Sequence, residues 1–105
     1  MARSTGFLHM VYFYGRESAQ SGDAAALIAG CRRHLPGIPT VLRLEVGLPA
    51  GTPREVVDNS YAVALLVEFE DKAGHDVYNV HPDHLEFIEE CKHLWSRVQI
   101  YDTLI

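Results

Sequence analysis

The stretch Tyr78-Asn79-Val80-His81-Pro82-Asp83-His84 gathers a phenol and two imidazoles in one short segment. Pro82 suits the first position of a helix, where a missing N–H costs nothing. His84 then falls in the first turn, close to unpaired backbone N–H groups and the positive end of the helix dipole. That setting disfavours imidazolium and predicts a neutral ring near pH 7, able to accept a proton. A neutral His beside a Tyr hydroxyl is an acid–base pair suited to carbonyl chemistry: the imidazole moves the proton while the phenol holds the developing oxyanion. The same residues also fit a plainer description, a well-capped boundary between two helices. There His81 is the N-cap that fixes the corner, and Tyr78 is a core aromatic whose hydroxyl is satisfied at the rim.

His9 is the other polar group of note. It sits in Leu8-His9-Met10-Val11-Tyr12-Phe13, where burying an imidazole without a hydrogen-bond partner is costly. Its phase groups it with Phe7, Val11 and Phe13, so it either lines a pocket or is a satisfied core or interface histidine. His75, His81 and His84, with Asp76 and Asp83, supply metal-ligand types, and His-x-x-His places two of them on adjacent helical positions. His75 belongs to a separate short helix and nothing completes a tetrahedron, so no metal is expected. No phosphate-binding glycine loop, Ser-His-Asp order or redox cysteine pair is found, and no cofactor is expected.

The elements that position these groups follow from hydrophobic period. Phe7 to Tyr14 reads as a strand, rich in aromatic and β-branched residues. From Asp23, a reasonable N-cap, Ala24, Leu27, Ile28, Cys31 and Leu35 follow i, i+3, i+4, i+7 on one helical face, until Pro36-Gly37 stops it. Thr40 to Leu48 alternates, with Leu42, Leu44 and Val46 opposite Arg43 and Glu45. Pro49 to Asn59 reads as an irregular loop. Tyr61 to Glu70 is the strongest strand. Asp71 caps a short helix to Tyr78, a longer helix runs from Pro82 to about Arg97 with Leu85, Ile88, Cys91 and Trp95 on one side, and Val98 to Ile105 forms a last strand.

The order β-α-β-β-α-β, its second helical region broken at His81-Pro82, predicts an α+β, ferredoxin-like fold: a four-stranded antiparallel sheet with helices on one face. The first and third strands are apolar on both sides, whereas a sheet with one wet face shows polar alternation. Two helices cover one face only. In a chain of 105 residues, a second copy is the simplest cover for the other, through an isologous contact that closes a barrel between two subunits. The imidazole–phenol pair is expected near the edge of that interior.

Length and composition fit a single domain spanning residues 7–104. The formal charge is −5 and the nine basic residues are dispersed, which argues against nucleic acid and membrane surfaces as partners. Met1 to Gly6 lacks the apolar run of a signal peptide. Cys31 and Cys91 lie among apolar neighbours and read as reduced core residues, which suggests a cytoplasmic setting.

Several of these segments together resemble the stress-responsive A/B barrel (Dabb) family of dimeric α+β barrels. The resemblance rests on His9 in the first strand, on Pro39 leading into Leu42-Arg43-Leu44-Glu45-Val46-Gly47, and on Ala64-Leu65-Leu66-Val67-Glu68-Phe69-Glu70-Asp71. Most specific are Tyr78, His81-Pro82-Asp83-His84 with Phe87, and the closing Val98-Gln99-Ile100-Tyr101-Asp102. It implies a homodimer with a small cavity in each subunit, binding a small apolar or aromatic ligand with His9 in the pocket wall; His81, beside the pair, is the second candidate for a ligand contact. One relative, a plant polyketide cyclase that forms olivetolic acid, uses a Tyr and a His matched by Tyr78 and His84 for a cofactor-free aldol condensation. The resemblance therefore leaves three readings open: a ligand-binding domain of unassigned role, a cofactor-independent acid–base enzyme, and a dimerisation module of a larger complex.

Overall fold

The structure, a computed structural model, describes residues 6–105. Most of the segment read for signal-peptide character lies outside them. In chain order the elements are β1 (Phe7–Gly15), α1 (Asp23–His34), β2 (Arg43–Gly47), β3 (Val63–Phe69), α2 (Lys72–Val80), α3 (Pro82–Cys91), a 3-10 turn at Lys92–Leu94 and β4 (Trp95–Leu104). The four strands form one sheet ordered β2-β3-β1-β4, every neighbour antiparallel. This is the ferredoxin-like α+β arrangement.

β1 is hydrogen-bonded on both edges, and its alternation is clean. Phe7, His9, Val11 and Phe13 are buried against the helices, while Leu8, Met10, Tyr12 and Tyr14 are half-buried on the opposite face. β3 repeats the pattern, burying Val63, Leu65, Val67 and Phe69. Leu27 and Cys31 of α1 and Phe87 and Cys91 of α3 complete the core from the helix side. α1 and α3 approach closely at Gly30, where a Cβ would collide with Cys91 Sγ. Both cysteines are free and buried. Burial pushes the Cys31 thiol up to about 12 and raises that of Cys91 as well, so neither is a ready thiolate.

Three expectations need correction. α3 ends at Cys91, and Trp95 opens β4 instead of closing the helix. The helical spacing does continue to Trp95, but pairing with β1 reaches Gly15 opposite Trp95 and claims that residue for the sheet. Leu85 is exposed; the inward face of α3 carries Phe87 and Cys91. Asp23 is likewise not the N-cap of α1. Gly22 holds that place, and Asp23 accepts from the Gln20 N–H and from Arg16 Nε and Nη2 at 2.8–3.1 Å. Asp71 does cap α2, accepting from the Gly74 N–H at 2.9 Å.

The helix break is a consequence of Pro82. The residue before a proline is driven out of the helical region, and His81 accordingly has φ −64° and ψ 139°, ending α2 and starting α3. Its Nδ1 accepts from the Asp83 N–H at 3.1 Å, the N-cap bond expected of it.

Candidate functional site

That corner brings Tyr78, from the last turn of α2, against His84, from the first turn of α3. Their ring centroids are 4.6 Å apart with planes inclined by 36°. Both line a cavity of about 260 Å³ between the sheet and α3, whose walls are Val11, Phe13 and Leu65 below and Phe87, Ile88 and Trp95 at the side. Tyr78 lies at its floor, only 1% exposed, and Ile100 of β4 at its rim, 44% exposed. The guest space is therefore mostly apolar, with its polar groups concentrated at one end.

His84 Nδ1 donates to the Asn79 carbonyl at 3.0 Å, because a carbonyl can only accept. Nε2 is then the unprotonated nitrogen of the neutral ring, free to take a proton. The ring's proton affinity lies below the ordinary histidine value. Burial is the leading cause, opposed by the Asn79 carbonyl and reinforced by His9 and His75. The direction matches the expectation from the helix dipole, but desolvation supplies most of the effect. Burial also raises the Tyr78 phenol far above its usual range, so it keeps its proton and acts as a hydrogen-bond donor. Among the described residues the Tyr78 hydroxyl takes part in no hydrogen bond.

His9 shares the cavity wall. It is 5% exposed, and its ring lies edge-on to Tyr78 with centroids 5.7 Å apart. Its partner is Asp102, directly opposite on β4 in the strand register, with Nδ1 to Oδ1 at 2.6 Å. Burial lowers the proton affinity of His9, while the Asp102 hydrogen bond and charge raise it. The sequence offered a signal for this partner: Asp102 alternates in phase with Val98 and Ile100, which face the helices, and a carboxylate in that phase calls for a buried mate. His81 is not among the residues lining the cavity. Its Nδ1 is occupied at the helix corner, so of the candidates only Tyr78, His84 and His9 converge.

His75 joins neither His81 nor His84 in a ligand group. It stacks on Phe7 with centroids 4.8 Å apart and lies 4.9 Å from the His9 ring. His9, His75 and Asp102 bring potential ligand atoms within 4.8 Å of one another.

The sheet topology, the cavity under α3 and the Tyr–His corner define a ferredoxin-like domain with a pocket between its sheet and α3. The sequence pattern of the stress responsive A/B barrel domain matches residues 7–105, and the chain belongs to that family. No curated protein matches it. Among solved structures, a dimeric ferredoxin-like protein of unknown function from Thermobifida fusca superposes with a TM-score of 0.81 at 15% identity, over 100% of this chain and 95% of that one. A Dabb family protein from Mesorhizobium loti gives 0.77 at 22% identity, over 96% and 97%. The hydroxynitrile lyase of Passiflora edulis gives 0.80 at 17%, over 97% and 94%. No helix among the described residues is long and apolar enough to cross a membrane.

Proposed function

We propose that each subunit of a homodimer binds a small aromatic or apolar carbonyl compound under α3 and acts on it by acid–base chemistry without a cofactor. The observation that carries the reading is the position of Tyr78 and His84 together at the polar end of an otherwise apolar cavity. His84 Nε2 takes a proton from the carbon next to the carbonyl, or from a hydroxyl in the reverse sense. The Tyr78 O–H donates to the oxygen on which negative charge develops, a role its raised proton affinity favours. A cavity of about 260 Å³ falls below the usual range for drug-sized guests, about 300–1,000 Å³, so one ring with a short chain is the size class. The hydroxynitrile lyase of similar fold lends this chemistry further support.

The dimer rests on the other face. Met10, Tyr12, Leu66 and Tyr101 lie together there, Tyr101 58% exposed, and the Thermobifida fusca neighbour is dimeric. Larger hollows occur on this face, one of about 440 Å³ lined by Tyr12, Tyr14, Asp58, Tyr61 and Tyr101. They belong to the surface assigned to the second copy.

Proton exchange from phenylacetone in D2O, followed by NMR, tests the chemistry without requiring the natural substrate. Wild type should speed exchange above buffer, and His84→Ala should remove about 100-fold of that gain. Tyr78→Phe should retain binding but lose most of the rate. Trp95, the only tryptophan, reports binding by fluorescence. A fluorescence response without exchange would leave only a ligand-binding domain and remove the acid–base reading; absence of both responses would overturn the proposal.

A further inference from the structure

The geometry points to a site for a borderline first-row divalent cation, of which zinc is the type, held by His9, His75 and Asp102 at the seam between β1, β4 and α2. A hydrogen bond between His9 and Asp102 explains why those two meet. It does not explain the third member. His75 comes from a different element and presses its half-buried ring to within 4.9 Å of His9, though an apolar side chain would stack as well on Phe7. The result is two imidazoles and a carboxylate whose ligand atoms all lie within 4.8 Å of one another.

The dimensions suit an ion. Tetrahedral zinc with bonds of about 2.0–2.2 Å sets its ligand atoms about 3.3 Å apart. The present spacings run from 2.6 Å for His9 Nδ1 to Asp102 Oδ1 up to 4.8 Å, so modest side-chain rotations equalise them. Each ligand stands on a regular element, which holds such a site more tightly than loops do. Two nitrogens and one oxygen favour zinc, cobalt or ferrous iron over magnesium or calcium. Three protein ligands leave a fourth position for water. Asp102 lies on the edge strand with its side chain partly exposed, giving an ion a way in. Neither His75 nor Asp102 lines the cavity, so the site stands beside the Tyr78–His84 pair and shares only His9 with it.

Untagged protein, stripped with chelator and titrated with Co2+, tests this directly. Visible d–d absorption of the intense four-coordinate type should develop at one ion per chain and be displaced by Zn2+. His75→Phe keeps the stack on Phe7, and Asp102→Asn keeps the size and a hydrogen-bonding group. Each should weaken Co2+ binding by about 100-fold, while His93→Ala, at an exposed histidine, should leave it unchanged. Circular dichroism identifies any variant that fails to fold, in which case the other decides. Absence of the spectrum at millimolar Co2+, or affinity untouched in the folded variants, would overturn the assignment.

Discussion

The two faces of β1 differ in consequence far more than in composition. Phe7, His9, Val11 and Phe13 point to the helices and are buried; Leu8, Met10, Tyr12 and Tyr14 point away and are half-buried. Both rows are greasy, and hydrophobicity alone does not separate them. What separates them is what lies opposite. On the helix side, α2, α3 and β4 bring Tyr78, His84, His75 and Asp102 around the His9 row, so polar groups converge from several elements. On the other side the sheet stays open: its hollows are bounded by strand residues and by Asp58 and Tyr61 of the segment before β3, while the helices lie across the sheet. Convergence makes a site; an open face makes an interface. The imidazole–phenol pair, expected at the edge of an interior shared by two subunits, instead belongs to a pocket within one chain, across the sheet from the face assigned to the partner.

The largest effect should come from charging the open face. Leu66→Glu sets a carboxylate in the proposed interface, and two-fold symmetry counts it twice. Each unpaired buried charge costs several kcal/mol, about 3 or more, so sedimentation velocity should show a monomer where wild type is a dimer. A variant that remains dimeric would move the interface elsewhere. Next is Gly30→Ala. Its new Cβ runs into Cys91 Sγ where α1 meets α3, and overpacking of this kind costs about 1–3 kcal/mol, readable as a lower midpoint in thermal melts. Gly47 has nothing within 4 Å of such a Cβ, so Gly47→Ala is the control expected to melt within a degree or two of wild type.

A smaller loss is expected at the corner. His81→Ala removes the N-cap bond to Asp83, worth about 1 kcal/mol, and should loosen the Tyr78–His84 geometry without unfolding the chain. Urea denaturation measures the first, and the phenylacetone exchange rate the second. The smallest effect is in acid. The proton affinity of half-buried His84 is lowered in the folded state, so the unfolded chain binds a proton first as pH falls. The stability associated with that ring is complete above the unfolded value of about 6.5 and is lost between there and the lower folded value. Urea midpoints at pH 7.5 and 5.5 should differ in wild type, and by less in His84→Gln.

How much of this was legible beforehand divides along sequence distance. The strands, the order of elements, the break at His81-Pro82 and the capping by Asp71 and His81 are local and readable, because period and proline chemistry act within a few residues. That His9 shares a face with Phe7, Val11 and Phe13 was readable for the same reason, but both faces of β1 are apolar, so which of them is the inner one was not. Trp95 misled because it satisfies a helical spacing, and only the pairing of β4 with β1 decides against it. Leu85 misled likewise. The meeting of His75 with His9 and Asp102 was beyond period-based reading. It depends on where α2 settles over the N-terminal half of β1, a packing outcome set by Phe7, Phe69 and Tyr78 together. The donor that sets the His84 tautomer, received by the Asn79 carbonyl, is a backbone event that no side-chain pattern announces.

The division of labour between the two faces is tested most directly by titrating isotope-labelled protein with benzaldehyde and mapping the perturbed NMR resonances. The account predicts shifts at Tyr78, His84, Phe87, Ile88 and Trp95, with Met10, Tyr12, Leu66 and Tyr101 unmoved. Perturbation confined to the tyrosine-rich open face, with the residues under α3 silent, would contradict it.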